Sequence, residues 1–216
     1  MREDDIPQVL EIERQSFPRI WPQTLYQREL KNKMARYLVA YEPLDEDACA
    51  EKTAGEAWLR RGVGGLLRRF FGSPPQPPHE RILGLVGLWY AIGEAHIVTI
   101  AVRQEHRRQG IGELLLVLAL EAALEAGQNE VTLEYRISSH AARSLYEKYG
   151  FRRVGVRPRY YSDNQEDAVL MTTPPLRSPE FRQLLAQRIA DQRARWGDDY
   201  PLAGREAPLA EATPPG

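Results

Sequence analysis

The order of apolar patterns along this chain predicts an α/β fold, a mixed sheet flanked by helices. Three observations carry that expectation. Residues 81–92 and 94–102 alternate as two strands that turn at Gly93-Glu94. A leucine-rich helical segment, Leu114 to Leu124, separates them from a third strand at residues 130–137. A second helix, running to Tyr149, then leads into a strand pair at 151–161 and 167–172 that reads as antiparallel, so the sheet is mixed and not purely parallel.

From the start of the chain, Ile6, Val9, Leu10, Ile12 and Glu13 repeat at helical spacing, and Asp4 or Asp5 can cap that helix. Pro18 and Pro22 break the chain, a second helix is expected over Thr24 to Met34, and residues 36–41 read as a short strand. Pro43 to Glu80 departs from this regularity. It opens acidic, turns basic and closes on Pro74, Pro75, Pro77 and Pro78. Leu66, Leu67, Phe70 and Phe71 fall on one helical stripe, while Gly62, Gly64 and Gly65 weaken any long helix. An inserted loop with a short amphipathic turn is expected. It serves either as a flexible insertion with a hydrophobic plug, the reading favoured here, or as an element docking on a membrane surface or partner.

Beyond the insertion, the Leu114 helix ends near Gly127, a natural C-cap. In the strand that follows, Val131, Leu133, Tyr135 and Ile137 share one face, and Thr132, Glu134 and Arg136 share the other. Ser139 can cap the next helix and Gly150 stops it. Residues 180–196 read as helix, and 201–216 are Pro/Ala/Gly-rich and expected to be disordered.

Composition narrows the class. The 216 residues allow one domain with extensions, or at most two small domains, and 43% hydrophobic residues support a packed core. A net charge of −1 provides no basic field for nucleic acid. The one cysteine, Cys49, cannot form an internal disulfide, which fits a reducing compartment. No signal sequence or transmembrane run is evident, so a cytoplasmic protein is expected, with a monomer favoured. The four histidines are scattered without metal-ligand spacing, and no metal site is expected.

The chemistry begins at Arg107-Arg108-Gln109-Gly110-Ile111-Gly112, between a strand and a helix. Glycines at a helix start leave backbone N–H groups open, and these combine with the helix dipole and two arginines into a site for phosphate or pyrophosphate. The P-loop pattern is absent, and a dinucleotide fingerprint would need glycine at position 115, which is Leu. The whole pattern resembles the acyl-CoA pyrophosphate loop of the GNAT N-acetyltransferases, (R/Q)-x-x-G-x-(G/A). Leu133-Glu134-Tyr135-Arg136, the run Ala142 to Phe151, Tyr160-Tyr161 and Glu166 to Met171 resemble one branch, the bacterial ribosomal-protein-alanine N-acetyltransferases. The resemblance runs from about Ile97 to Met171, with a looser echo in Asp4 to Phe17, and leaves out 43–80 and everything after Pro175. In the family a first strand precedes these helices; here Met1-Arg2 begins almost directly at the helix.

The resemblance implies an acyl-CoA N-acyltransferase fold with a mostly antiparallel sheet and acetyl-CoA as co-substrate. It implies a domain over 1–175 with the 43–80 loop inserted, a helical extension over 176–200 and a tail over 201–216. Ile100, Ala101 and Val102 match the splayed strand that pairs with the amide arm of CoA. Arg107, Arg108, Gln109, Gly110, Ile111, Gly112 and Glu113 match the pyrophosphate loop. Where the family carries Asn for the CoA arm, this chain has Ser139, whose hydroxyl stands in for it. Glu134 matches the general base and Tyr146 the acid that protonates the leaving thiolate. Read without the family, Glu134 is equally a structural ion pair with Arg136 or Arg103, and Tyr146 a core tyrosine. The segment from Arg157 and Arg159 to Tyr160 and Tyr161 lines the peptide end of the cleft, or is a hairpin with an exposed aromatic tip. The implied activity is acetylation of a protein N-terminal α-amine, with a ribosomal protein beginning with alanine as target class. The alternatives are a lysine or small-amine acetyltransferase, and a non-catalytic acyl-CoA-binding module.

Overall fold

A computed structural model describes residues 1–17, 24–43 and 80–197. The 66–71 stripe and the 201–216 tail lie outside the described residues. By internal contacts the chain falls into two units, Met1–Ala40 with Ile82–Gly216 and, between them, Tyr41–Arg81; the core and the cleft both belong to the first.

Helix α1 spans Ile6–Ser16, preceded by a short 3-10 turn at Glu3–Asp5. Asp5 occupies its N-cap position but makes no capping bond; its carboxylate accepts instead from the Arg2 N–H at 2.6 Å. The expected second helix shrinks to one turn, α2 at Tyr26–Glu29, and Leu30 to Met34 leave the helix as turns. Tyr26 explains the position of that turn. Its hydroxyl donates to Glu13 Oε1 at 2.8 Å, beside Thr24 at 2.6 Å, tying α2 to α1. Strand β1 covers Ala35–Pro43. Among the described residues no strand precedes α1; the Met1 amine donates to Tyr37 O on β1 at 3.1 Å.

The sheet has six strands in the order β1-β2-β3-β4-β6-β5: β2 Glu80–Ala91, β3 Glu94–Val102, β4 Glu130–Arg136, β5 Arg152–Tyr161 and β6 Glu166–Thr172. β2–β3, β4–β6 and β6–β5 are antiparallel and β3–β4 is parallel, the mixed, mostly antiparallel sheet expected. Helix α3, Ile111–Glu125, is apolar nearly all round, as a helix is when it lies inside the core rather than on its surface. Leu115, Leu116 and Leu120 pack there with Val86, Val131 and Leu133. Gly127 (φ +75°) ends α3, and Gly150 (φ +80°) follows α4, His140–Lys148. Ile137 does not join the apolar face of β4: the strand stops at Arg136 and Ile137 is exposed. Helix α5, Pro179–Trp196, buries Phe181 and Leu185 in the same core.

Two irregularities open the sheet. The β2–β3 register passes from Leu88↔Ile97 to Gly87↔Thr99, so Val98 is an extra residue, a bulge in β3. The β3–β4 pairing runs from Glu94↔Glu130 to Ile97↔Leu133 and ends there, although β3 continues to Val102. Beyond the bulge, the β4-facing backbone edge of β3 is left without a strand partner.

Candidate active site

A cleft of about 670 Å³ occupies this opening. Val98, Thr99 and Ile100 line it from β3, Glu134 and Arg136 from β4, and Tyr146 from α4. Helices α1 and α2 contribute Glu13 and Glu29, and β5 contributes Tyr160 and Tyr161.

Past the end of β3, and not among the residues that line the cleft, lies the start of α3. Arg108 (φ +66°) and Gly110 (φ +92°) are both left-handed. Residues that bend the chain this way turn successive N–H groups to one side, the concave arrangement that takes anions. Gly110 is the N-cap of α3 and no side chain caps the helix, so its first N–H groups remain available to a ligand. A Cβ on Gly112 would meet nothing closer than Val102 at 3.6 Å. The Arg107 guanidinium is engaged otherwise: it donates to Val102 O at 3.1 Å and to Ser16 Oγ at 3.1 Å, bracing the end of β3 against α1. Gln109 reaches back to Glu105 O at 3.4 Å, and Ile111 is buried in the core. Glu113 turns its carboxylate inward. It accepts from Lys148 and from Tyr149 at 2.8 Å, and from Arg195 of α5 at 3.0 Å. Burial acts to raise its pKa, but those hydrogen bonds outweigh it and the carboxyl titrates below its ordinary range.

In the middle of the cleft is Glu134, its side chain 8% exposed. Parallel pairing sets His96 beside Thr132, one pleat from Glu134 and on the same face. His96 Nε2 lies 2.9 Å from Glu134 Oε2, and Arg157 sits 3.0 Å from Oε1. Neither Arg136 nor Arg103, the partners considered from sequence, reaches it. Arg136 binds Asp163 at 2.9 Å and Glu166 at 3.4 Å and lies 3.9 Å above the Tyr161 ring. Arg103 is held by Glu11 at 3.2 Å and Ile82 O at 3.0 Å. The His96 hydrogen bond, against the cost of burial and aided by the charges of His96 and Arg157, holds Glu134 below the usual carboxylate range.

His96 is fixed from behind. Its Nδ1 is 2.8 Å from Thr132 Oγ, which donates to Glu94 at 2.5 Å. Since a carboxylate has no hydrogen to give, Thr132 uses its own toward Glu94 and accepts from the ring, placing a hydrogen on Nδ1. Sequence reasoning weighed the histidines only as metal ligands and missed His96. The available signal was a titratable side chain within an apolar strand, readable only once the β3–β4 register is known.

Tyr146 is buried between Tyr135 and Phe151, with ring centroids 5.8 and 5.7 Å away. Burial, reinforced by the neighbouring phenols of Tyr161 and Tyr135, pushes its pKa up, so the hydroxyl keeps its hydrogen. Its ring belongs to the core, and the residue also lines the cleft. Ser139 sits at the N-cap position of α4 without capping it, and lines the cleft. Ile100 lines the cleft where β3, still paired with β2, has lost its β4 partner, with Ala101 buried and Val102 half-buried beyond it.

These features fit an extended ligand with a pyrophosphate at one end and an amide arm along β3. The sequence profile of the Acetyltransferase (GNAT) domain matches residues 78–153. A Bacillus subtilis (strain 168) protein, named as a candidate [ribosomal protein bS18]-alanine N-acetyltransferase, is 32% identical over 172 residues, 79% of this chain and 90% of that protein. An N-alpha-acetyltransferase of Sulfurisphaera tokodaii is 32% identical over 174 residues, 79% of this chain and 87% of that one. The crystal structure of the ribosomal-protein-S18-alanine N-acetyltransferase from Escherichia coli shares the fold, with TM-score 0.55 and 23% identity over 83% of this chain and 94% of that one. The chain belongs to the GNAT acetyltransferase family. It is an acetyltransferase, and its acyl donor is acetyl-CoA.

Proposed function

We propose that the chain acetylates the N-terminal α-amine of a protein, with a ribosomal protein beginning with alanine as the target class. The observation that carries this reading is the cleft itself, which holds a carboxylate, Glu134, whose side chain is largely buried, and a buried phenol, Tyr146, that keeps its hydrogen. The names of the relatives support the choice of acceptor.

The α3 N-terminus with Gly110 and Gly112 holds the pyrophosphate, and the edge of Ile100 to Val102 that has no β4 partner, with Ser139, holds the amide arm. Backbone N–H groups of that edge face the thioester oxygen and stabilise the charge that develops on it. Glu134 takes one proton from the α-ammonium. The neutral nitrogen forms the C–N bond as the C–S bond breaks. Tyr146 gives its hydroxyl hydrogen to the departing sulfur and is restored by the second proton of the nitrogen. One proton reaches solvent per turnover, by way of Glu134.

The acceptor choice follows from proton affinities. An α-amine has a pKa of about 7.7–8.0 and a lysine side chain about 10.4. A carboxylate held below its usual range, as Glu134 is, suits the weaker amine base of the two. The catalytic domain covers 1–175, with 43–80 inserted and 176–200 as an extension. Among the described residues no helix is long and apolar enough to cross a membrane.

The test uses two peptides. One begins with free Ala; the other is blocked at its terminus and carries an internal Lys. Mass spectrometry is expected to find acetylation of the first alone. Efficient modification of the blocked peptide would replace this reading with the lysine acetyltransferase, and binding of acetyl-CoA without transfer to either would favour a non-catalytic module.

A further inference from the structure

Both oxygens of the Glu134 carboxylate face a basic side chain, and the two partners are held very differently. His96 is locked by Thr132 and Glu94 and lies on β3, inside the sheet. Arg157 is 53% exposed and lies on β5, the edge strand, where the β5–β6 register slips between Arg157 and Tyr161. Among the described residues, its contacts are Glu134 Oε1 at 3.0 Å and the face of the Tyr160 ring at 5.6 Å.

A carboxylate that is 8% exposed is costly to keep both charged and unpaired. His96 pairs Oε2, and a cation at Oε1 offsets the rest of that cost while no acceptor is present. The α-ammonium of the acceptor carries the same charge and must come to the same carboxylate.

We propose that Arg157 is a displaceable placeholder: it occupies Glu134 Oε1 until the α-ammonium takes its place, and returns once the amine has become an amide. This rests on Glu134 being the base. On binding, the guanidinium swings outward past Tyr160 while the ammonium pairs with Oε1, so the charge around Glu134 does not change. Glu134 takes one N–H proton, the C–N bond forms and the C–S bond breaks as above. The product amide is neutral, so nothing competes with the returning guanidinium. With Arg157 back in place the proton on Glu134 is disfavoured and passes to water, which resets the base. The same exchange separates substrate from product, because only the substrate carries the charge that displaces Arg157.

The groups facing Glu134 are few. His96 comes from β3 and Arg157 from β5. Tyr161, also on β5, is pushed up to about 12, by burial first and with the Glu134 charge among the lesser causes. The residue opposite Glu134 on β6 is Leu170, which does not titrate. Loss of Arg157 therefore removes one of two positive influences and lets the Glu134 pKa rise.

The experiment is a double-mutant cycle read by calorimetry. The free-Ala peptide is titrated into protein saturated with CoA, which permits no turnover. Arg157→Ala is expected to bind the peptide more tightly than wild type, by up to about 5-fold, the scale of a half-exposed ion pair. In a Glu134→Gln background the same change is expected to make no difference. In turnover with acetyl-CoA, the acid limb of kcat/KM moves to higher pH in Arg157→Ala, and Arg157→Lys restores it; an arginine that only packed on Tyr160 would move neither that limb nor the cycle. Unchanged or weaker peptide binding by Arg157→Ala overturns the proposal, as does a gain of the same size in the Glu134→Gln background, where the carboxylate charge is gone. Wild-type turnover by Glu134→Gln overturns the base assignment and the proposal with it, whereas failure of the acceptor reading appears separately, as a peptide left unmodified by wild type.

Discussion

One methyl group, placed at either of two glycines two positions apart, separates the geometric roles within the loop. Gly110 has φ +92°, and a Cβ there would lie 3.1 Å from Trp196 Cζ2 and 3.2 Å from Nε1. Gly112 has no such conformation, and its Cβ would meet Val102 at an ordinary 3.6 Å. A left-handed residue with a side chain costs about 1–2 kcal/mol, and the indole must also shift by a few tenths of an ångström. For a chain of this size, about 1–2 kcal/mol corresponds to a fall in Tm of roughly 2–8 °C. Gly110→Ala is therefore expected to melt several degrees lower and to bind acetyl-CoA more weakly, because the N–H groups at the helix start are re-aimed. Gly112→Ala is expected to stay within about 0.5 kcal/mol of wild type and to retain binding. Circular-dichroism melts with and without acetyl-CoA, together with calorimetry, decide it. Equal melting temperatures for the two variants would refute the claim that the left-handed turn at Gly110 shapes this loop.

The proposed chemistry is tested by Glu134→Gln and Tyr146→Phe, which are expected to bind acetyl-CoA normally and to turn over about 100- to 10,000-fold more slowly. The Glu134 variant recovers in part as pH rises and the amine loses its proton unaided; stopped-flow or steady-state rates across pH show this, and wild-type rates in both would remove these residues from the mechanism. Because burial raises the Tyr146 pKa, no alkaline loss of activity from its ionisation is expected below about pH 10, the ordinary phenol value. At the β5–β6 turn, hydrogen bonds from Ser138, Asn164 and Arg136 depress Glu166 to about 2. Its contribution to stability is then fully present above an unfolded value of about 4.3 and is lost as pH falls toward 2. NMR titration of the Glu166 carboxyl carbon is expected to show that low midpoint, and an ordinary carboxylate midpoint would contradict the hydrogen bonding.

Much of this protein is legible along the chain. The strand at 94–102, the glycine-bearing turn, the helix after it and the two-faced strand carrying Glu134 are local patterns, set by period-2 or helical spacing and by turn chemistry at Gly93, Gly127 and Gly150. Their order was enough to expect a mixed sheet. The expected helix over 24–34 failed because its spacing is matched by a one-turn helix that Tyr26 anchors to Glu13 across the chain, a contact no local pattern contains. The partners of the charged residues were decided in three dimensions. Arg136 is two residues from Glu134 yet binds Asp163, while His96 and Arg157, 38 and 23 positions away, meet the carboxylate. Neither the bulge at Val98 nor the end of the β3–β4 pairing at Leu133 can be read from spacing, because register is set between strands and not within them. Sequence determined which groups this chain has for acyl transfer; only the folded sheet, by fixing which strands lie side by side and where they part, decided which of those groups face one another across the cleft.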